Sequence, residues 1–197
     1  MIDTERLRIA GVACAIGGVL WVSNVLLGVV NYGAMHGDIT TFRSWEAVFV
    51  LLQVLLLIGV VGLARSGATG AGWLGRIGLD IALFGRTAFV LAELHNFAKG
   101  TDDSPLLPLG ALTTGIGMVL VGIAVVRARR WGGWHRPLPL LVGLYPFVAM
   151  FPILAATGQP PEPMIALWGI LWLLLGLALR AEAGAAVPVS LQPLAAQ

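Results

Sequence analysis

Six long apolar segments run through this chain, and short linkers rich in Gly, Pro, Asp and Thr separate them. A helix needs about 20 mostly apolar residues to cross the hydrocarbon layer of a membrane, so each segment is a candidate span. Backbone groups in lipid must be satisfied within the segment, and barrel strands need only about 9–11 residues. The sequence therefore predicts transmembrane helices over residues 7–30, 45–64, 73–97, 105–126, 137–157 and 163–179.

The composition agrees with this prediction. Hydrophobic residues make up 58% of the 197 positions and charged residues only 11%, against about 45–50% and about 25% in ordinary soluble domains. So few charges cannot cover a soluble protein of this size, and high hydrophobicity also excludes disorder. We predict an all-α integral membrane protein with one domain, residues 1–180, that is a bundle of six transmembrane helices. Residues 181–197 are predicted to form a disordered cytoplasmic tail.

The basic residues predict the orientation. Only Arg43 and Lys99 fall on one side of the six predicted spans. Because cytoplasmic loops carry an excess of Lys and Arg, we expect both termini in the cytoplasm and a multi-pass protein of the cell membrane. The first apolar segment exceeds the 7–15-residue core of a cleavable signal, so we expect it to remain as a span. The opposite side receives nine basic residues: Arg6, Arg8, Arg65, Arg76, Arg127, Arg129, Arg130, Arg136 and Arg180.

Several classes of site are not expected. A single cysteine, Cys14, excludes a disulfide framework within the chain. The formal net charge of +2 is too small to predict nucleic-acid binding. His36, His95 and His135 lack the spacing of metal ligands, so we expect neither a metal nor a cofactor. The lipid bilayer is the expected partner, and the oligomeric state stays open.

Polar residues recur at a spacing of seven inside the second and third predicted spans. Arg86 lies about 20 Å into the third helix, and Glu93 is one heptad further on. Glu46 and Gln53 have the same spacing in the second helix. An offset of seven returns a helix to nearly the same face. Antiparallel packing therefore predicts that Glu46 is level with Glu93, and Gln53 with Arg86.

Other amides extend this pattern. Asn24 and Asn31 are seven residues apart in the first span, and Asn96 follows Glu93 by three. Charges inside a span are costly and mark functional sites, so we predict a polar cavity in the outer half of the bilayer. Three alternatives are open: Glu46 forms an interfacial ion pair with Arg43, Glu93 snorkels to the membrane surface, and Arg86 has a purely structural role. The predicted catalytic residues are Glu46 and Glu93, and the predicted substrate-binding residues are Asn24, Gln53, Arg86 and Asn96.

The first functional hypothesis is an intramembrane acid–base enzyme of the cyclase or isomerase class. A carboxylic acid kept protonated by an apolar setting can donate a proton to a lipophilic substrate. Aromatic faces then stabilise the developing cation. The dipeptide Trp45–Glu46 is similar to the Trp-Glu of the integral-membrane terpene cyclases of meroterpenoid and indole-sesquiterpene pathways. That resemblance implies a prenyl or terpenoid substrate. The aromatic candidates are Trp21, Phe49, Phe89, Tyr145 and Trp172.

Two other classes remain open. Intramembrane Glu, Arg and Asn residues also serve proton relays and substrate paths, so the alternative is a small-solute or proton-coupled transporter. The second alternative is a non-catalytic accessory subunit of a membrane complex, whose buried charges pair with a partner.

Helix packing has its own signals. Gly78 and Gly85 share a face of the third span, and Ala111, Gly115 and Gly122 share one of the fourth. Small residues at such spacing allow close approach of two helices in a membrane. In the fifth span, prolines are expected to kink the helix and free carbonyl groups near Tyr145; these are Pro146 and Pro152.

Overall fold

A computed structural model describes residues 4–158 and 162–185, without the side chains of residues 31–36. Helices dominate these ranges, and no strand occurs among the described residues, so the all-α prediction is confirmed. The long helices are α1 (Thr4–Gly37), α2 (Ile39–Arg65), α3 (Trp73–Lys99), α4 (Leu106–Ala128) and α7 (Glu162–Ala185). The fifth predicted span consists of α5 (Leu138–Tyr145), a π-helical turn (Pro146–Met150) and α6 (Phe151–Thr157), after a short 3-10 turn at Gly133–His135.

Some helix ends differ from the predicted spans. The second helix begins at Ile39 because Asp38 caps it: Asp38 Oδ2 accepts hydrogen bonds from Thr41 N and Thr41 Oγ1, both at 2.8 Å. The last helix continues to Ala185, into the segment predicted as a tail. Hydrophobicity marks the part of a helix that lipid surrounds, whereas capping groups decide where the helix ends. Residues 186–197 lie outside the described residues.

Five helical segments are long and apolar enough to cross a membrane, which supports a multi-pass membrane protein. They are Thr4–Val30, Ile39–Arg65, Leu106–Ala128, Gly133–Thr157 and Glu162–Ala185. The third helix, α3, has 27 residues but is not among the five. It carries five charged residues, Arg76, Asp80, Arg86, Glu93 and Lys99.

The helices form a closed ring. Each long helix packs against its neighbour along the chain from α1 to α5, and α7 closes the ring against α1 and α5. Short connections make neighbouring helices antiparallel. We call the end that contains Asp38 and residues 100–105 the acidic end, and the opposite end, with residues 66–72 and 129–137, the basic end.

Glycines set the closest helix contacts. A Cβ atom added at Gly78 would lie 2.8 Å from Val121 N, and one at Gly11 would lie 2.7 Å from Arg180 N. These distances are too short for a real side chain, so glycine permits α3 to approach α4, and α1 to approach α7. Gly85 packs in the same way against the backbone of Thr114. The small-residue prediction is thus confirmed for Gly78 and Gly85 of the third span. It is also confirmed for Gly115 and Gly122 of the fourth span, where an added Cβ atom would lie 2.8 Å from a ring carbon of Phe147 and 2.4 Å from the Cα of Leu140.

The outer surface of the ring is apolar. On α3 the exposed positions follow a heptad: Ile77 is 45% exposed, Phe84 58% and Leu91 51%. Arg86 and Glu93 on the same helix are buried inside the ring. An exposed apolar surface facing outward with charges facing inward is the pattern of a protein that is surrounded by lipid.

Candidate functional site

Arg86 occupies the centre of the ring inside an aromatic cage. Its side chain is fully buried. The guanidinium carbon lies 4.9 Å from the ring centroids of Phe89 and Trp172, and 5.9 Å from that of Trp21. Aromatic faces attract a cation, and the attraction is strongest where water is absent. Three helices therefore share in compensating one buried positive charge.

Trp168 extends the cage on the side of α7. Its ring lies 5.4 Å from that of Trp21 and 6.2 Å from that of Trp172, at steep angles. The indoles of Trp21 and Trp168 are each fixed by a hydrogen bond. Trp21 Nε1 donates to Ile165 O at 2.8 Å, and Trp168 Nε1 donates to Val142 O at 2.9 Å. These bonds hold the rings in place and join α1, α7 and α5 around Arg86.

Gln53 connects Arg86 to a carboxyl group. Arg86 Nη2 donates to Gln53 Oε1, and Gln53 Nε2 donates to Glu93 Oε1 at 3.2 Å. Gln53 is itself fully buried. The predicted pairing of Gln53 with Arg86 across antiparallel helices is confirmed by this direct contact. An amide can bridge a cation and a carboxylate because it has an acceptor at one atom and a donor at the other.

Glu46 and Glu93 form a buried carboxyl pair. Glu46 is 4% exposed and Glu93 5% exposed. The two carboxyl groups interact directly, and the charged groups that act on them are Arg86 on α3 and Asp102 in the α3–α4 connection. Arg43, three residues before Glu46, is exposed, whereas Glu46 faces Glu93. The pairing of Glu46 with Glu93 across α2 and α3 is therefore as the spacing predicted.

Asn96 links the carboxyl pair to the acidic end. Asn96 Nδ2 contacts Glu93 Oε2 at 3.5 Å, and Asn96 Oδ1 accepts a hydrogen bond from Ser104 N at 3.1 Å. The α3 helix ends here because Gly100 adopts a φ of 74° and its N–H bonds to Asn96 O. A polar chain thus runs from the acidic end through Asn96, Glu93 and Gln53 to Arg86.

Several buried polar atoms near this chain have no hydrogen-bond partner among the described residues. Arg86 contributes two, Nε and Nη1, and Trp172 contributes Nε1. Glu46 Oε2 is the corresponding acceptor atom. Buried donors without partners are costly, so each calls for an explanation such as a bound molecule. Around Arg86 the unpartnered atoms are N–H donors.

Other predicted residues lie outside the hydrogen-bonded chain. Asn24 is buried on α1, but its Nδ2 has no partner among the residues described. The side chain of Asn31 lies outside the described residues. Tyr145 OH donates to Met164 O at 2.8 Å, where the π-helical turn begins, instead of joining the site.

Two pockets are described, and neither is lined by Glu46, Gln53, Arg86 or Glu93. One of about 350 Å³ opens at the acidic end and is lined by Gly37, Asp38, Ile39, Phe42, Gly100, Thr101 and Asp102. One of about 330 Å³ lies near the basic end and is lined by Thr69, Gly72, Trp73, Leu74, Gly75, Ala124, Arg127 and Ala128. The polar cavity itself stays a prediction; of the residues predicted to line it, Gln53, Arg86, Glu93 and Asn96 contact one another directly.

The chain matches no protein-family model, no curated protein and no solved structure.

Sequence reasoning missed three contributors. Cys14 faces Arg86 and donates from Sγ to Trp172 O at 3.4 Å. Trp168 completes the cage, and Ser104 orients Asn96. The four-residue spacing of Trp168 and Trp172 placed them on one face, but only the closure of α7 onto α1 reveals what that face contacts.

Ionisable groups at the two ends have simpler roles. Hydrogen bonds from Thr41 hold the pKa of Asp38 below its ordinary value, and a bond from Thr101 does the same for the pKa of Asp103. At the basic end, His135 Nδ1 pairs with Glu182 Oε1 at 2.7 Å. These groups stabilise the ends of the helices and the segments between them, and they lie apart from the Arg86 cage.

Proposed function

We propose that this protein crosses the membrane six times, with both termini in the cytoplasm, and transports a small solute together with protons. The sixth span in this proposal is α3. Its lipid-facing heptad of Ile77, Phe84 and Leu91 supports a crossing, since Arg86 and Glu93 are enclosed by the other helices. Orientation rests on the basic residues at one end.

The observation that carries the proposal is the hydrogen-bonded chain from Glu93 through Gln53 to Arg86. Proton relays in membrane proteins commonly consist of carboxyl groups that are hydrogen-bonded to a buried cation. Two adjacent carboxyl groups in an apolar setting do not both ionise, so the Glu46–Glu93 pair holds a proton that it can exchange. Asp102, an exposed acid at the acidic end, acts electrostatically on Glu46, and protons would enter from this side.

The same geometry supports transport better than it supports an acid–base enzyme that works through a carbocation. An enzyme that protonates an olefin needs free aromatic faces for the carbocation it creates. Here the faces of Trp21, Phe89 and Trp172 surround Arg86. A guanidinium in the cage repels a second positive charge. Transport is therefore the leading proposal, and the acid–base enzyme becomes the second candidate.

One observation favours an enzyme as the second candidate. Glu46 Oε2 has no partner in the described part of the chain, and Phe42, one helical turn before Glu46, lines the acidic-end pocket. A lipophilic substrate in that pocket would lie close to an acid. This candidate predicts that a prenyl alcohol or epoxide is converted by the purified protein and left unconverted by Glu46→Gln.

The experiment that tests transport begins with the purified protein in mild detergent. Solutes that stabilise it against heat are selected, because a ligand of the folded state raises its stability. Uptake of each selected solute into proteoliposomes is then measured with and without a pH gradient. We expect the gradient to accelerate uptake, Glu93→Gln to abolish this acceleration, and Asp80→Asn, an exposed acid on the same helix, to preserve it. Uptake that ignores both the gradient and Glu93→Gln overturns the proposal.

A further inference from the structure

Arg86 offers hydrogen bonds that nothing described in the protein accepts. Its Nη2 bonds to Gln53, but Nε and Nη1 have no partner among the described residues although the side chain is fully buried. Trp172 Nε1, on a ring 4.9 Å from the guanidinium carbon, is also unpartnered. All three atoms are donors, so the molecule that would satisfy them is an acceptor.

Charge balance specifies the acceptor further. When the Glu46–Glu93 pair shares one proton, its single negative charge balances Arg86 through Gln53. When the pair takes up a second proton, Arg86 remains a positive charge in an apolar cage. An uncompensated buried charge is strongly unfavourable, so the cage then attracts a negative charge.

Among the described side chains, few other ionisable groups face the pair or Arg86. Elements packed against the pair contribute Arg86 from α3 and Asp102 from the α3–α4 connection. On the side of Arg86, α1 contributes the Cys14 thiol and α7 contributes Trp172. Among the side chains that the structure describes, which leave out those of residues 31–36, the carboxyl pair is thus the group that decides the charge of the cage.

We propose that Arg86 and Trp172 bind a small monovalent anion, and that the anion binds when the Glu46–Glu93 pair takes up a proton. The inference rests on the proposed function and gives its solute a class: an anion that travels with a proton. The coupling is reciprocal, because a proton that favours the anion is favoured by it to the same degree. Loading both leaves the site with no net change in charge, which lowers the cost of crossing the membrane.

The test uses the full chain in detergent and two probes, radiolabelled chloride and radiolabelled acetate. We expect at least one to bind, with an affinity that rises about tenfold for each unit by which the pH falls, as one proton per anion requires. In the double variant Glu46→Gln/Glu93→Gln the pair is always neutral. That variant is expected to bind at neutral pH as tightly as the wild type binds at acidic pH, without a pH slope.

Arg86 variants complete the test. Arg86→Gln is expected to lose binding at every pH, while Arg86→Lys retains a weaker, still pH-dependent affinity. Gel filtration reports whether each variant is folded, and the double glutamine variant decides the matter if Arg86→Gln does not fold. Binding that persists in folded Arg86→Gln, binding in the wild type that ignores pH, or no binding of either probe overturns the inference. Proton-coupled uptake of a neutral solute would overturn the anion inference but preserve the proposed transport function. Anion binding that depends on pH without any uptake would support the anion inference but overturn transport.

Discussion

Gln53 on α2 donates a hydrogen bond from Nε2 to Oε1 of Glu93 on α3 at a distance of 3.2 Å. The other end of the same amide accepts from Arg86. One neutral side chain thereby joins a buried cation and a buried acid in a continuous series of hydrogen bonds.

Replacing Gln53 by Leu removes the bridge while keeping a similar volume. Because Arg86 and Glu93 then each lose a buried hydrogen bond, we expect the free energy of unfolding to fall by about 1–3 kcal/mol. Denaturant titration in micelles measures this change. Leu51→Ala on the exposed face of α2 is the control and is expected to change it by less than about 0.5 kcal/mol. Equal effects of the two variants would show that the bridge does not contribute to stability.

Trp172→Leu and Trp172→Phe show how much of the stability that Trp172 provides comes from its aromatic face and how much from its volume. The Trp172 indole N–H has no partner among the described residues, so Phe sacrifices no hydrogen bond in that part of the chain. Attraction of a desolvated cation to an aromatic ring amounts to about 2 kcal/mol. We therefore expect stability to fall in the order Trp, Phe, Leu at this position, measured by thermal unfolding. At the exposed Trp73 the same replacements should be nearly neutral, and an equal ranking there would remove the case for the cage.

Gly78→Ala is expected to destabilise the protein by about 1–3 kcal/mol, the usual cost of overpacking. Its Cβ would lie 2.8 Å from Val121 N, a backbone atom of α4 that cannot turn aside. Gly184→Ala is the matched control, since an added Cβ there meets nothing within 4 Å. Unfolding of both variants in the same detergent gives the comparison. If Gly78→Ala is as stable as Gly184→Ala, α3 and α4 do not pack as described.

Asp38 gives a prediction for pH. Hydrogen bonds from Thr41 lower the pKa of the folded carboxyl, so Asp38 stabilises the folded state above its ordinary pKa and this contribution disappears as the pH falls through the folded pKa. Asn keeps a capping side chain but cannot ionise. We expect the stability advantage of the wild type over Asp38→Asn to be constant near neutral pH and to shrink in acid. A difference that is independent of pH below neutrality would exclude this role.

The crossing of α3 is tested by cysteines placed at its two ends. In a Cys14→Ser background, Ala71→Cys precedes α3 and Thr101→Cys follows it, and both positions are exposed. A membrane-impermeant maleimide added to intact cells is expected to label Thr101→Cys, and to label Ala71→Cys only after lysis. Labelling of both in intact cells, or of neither, rules out a third span in the proposed orientation.

The contact between α2 and α3 could be predicted from the sequence. A spacing of seven keeps Glu46 and Gln53 on one face and Arg86 and Glu93 on another, and a short connection makes the two helices antiparallel. Register then follows from the pairing of polar residues, because each needs a partner inside an apolar bundle.

The aromatic cage could not be predicted in the same way. It depends on α7 packing against α1, at the far end of the chain, and the local pattern of Trp168 and Trp172 does not specify that neighbour. The π-helical turn at Pro146–Met150 was foreseen only as a kink. The sequence alone predicts Arg86 as a substrate-binding residue, whereas the structure shows it as a cation that aromatic rings surround.

Proton movement during transport tests the central claim most directly. Proteoliposomes with a trapped pH dye are given a solute that stabilises the protein against heat, and the internal pH is followed. The wild type and Asp80→Asn are expected to acidify the interior as the solute enters, while Glu46→Gln/Glu93→Gln admits no protons. Solute entry at constant internal pH in the wild type, or equal acidification in the double variant, would contradict a proton-coupled site at Glu46 and Glu93.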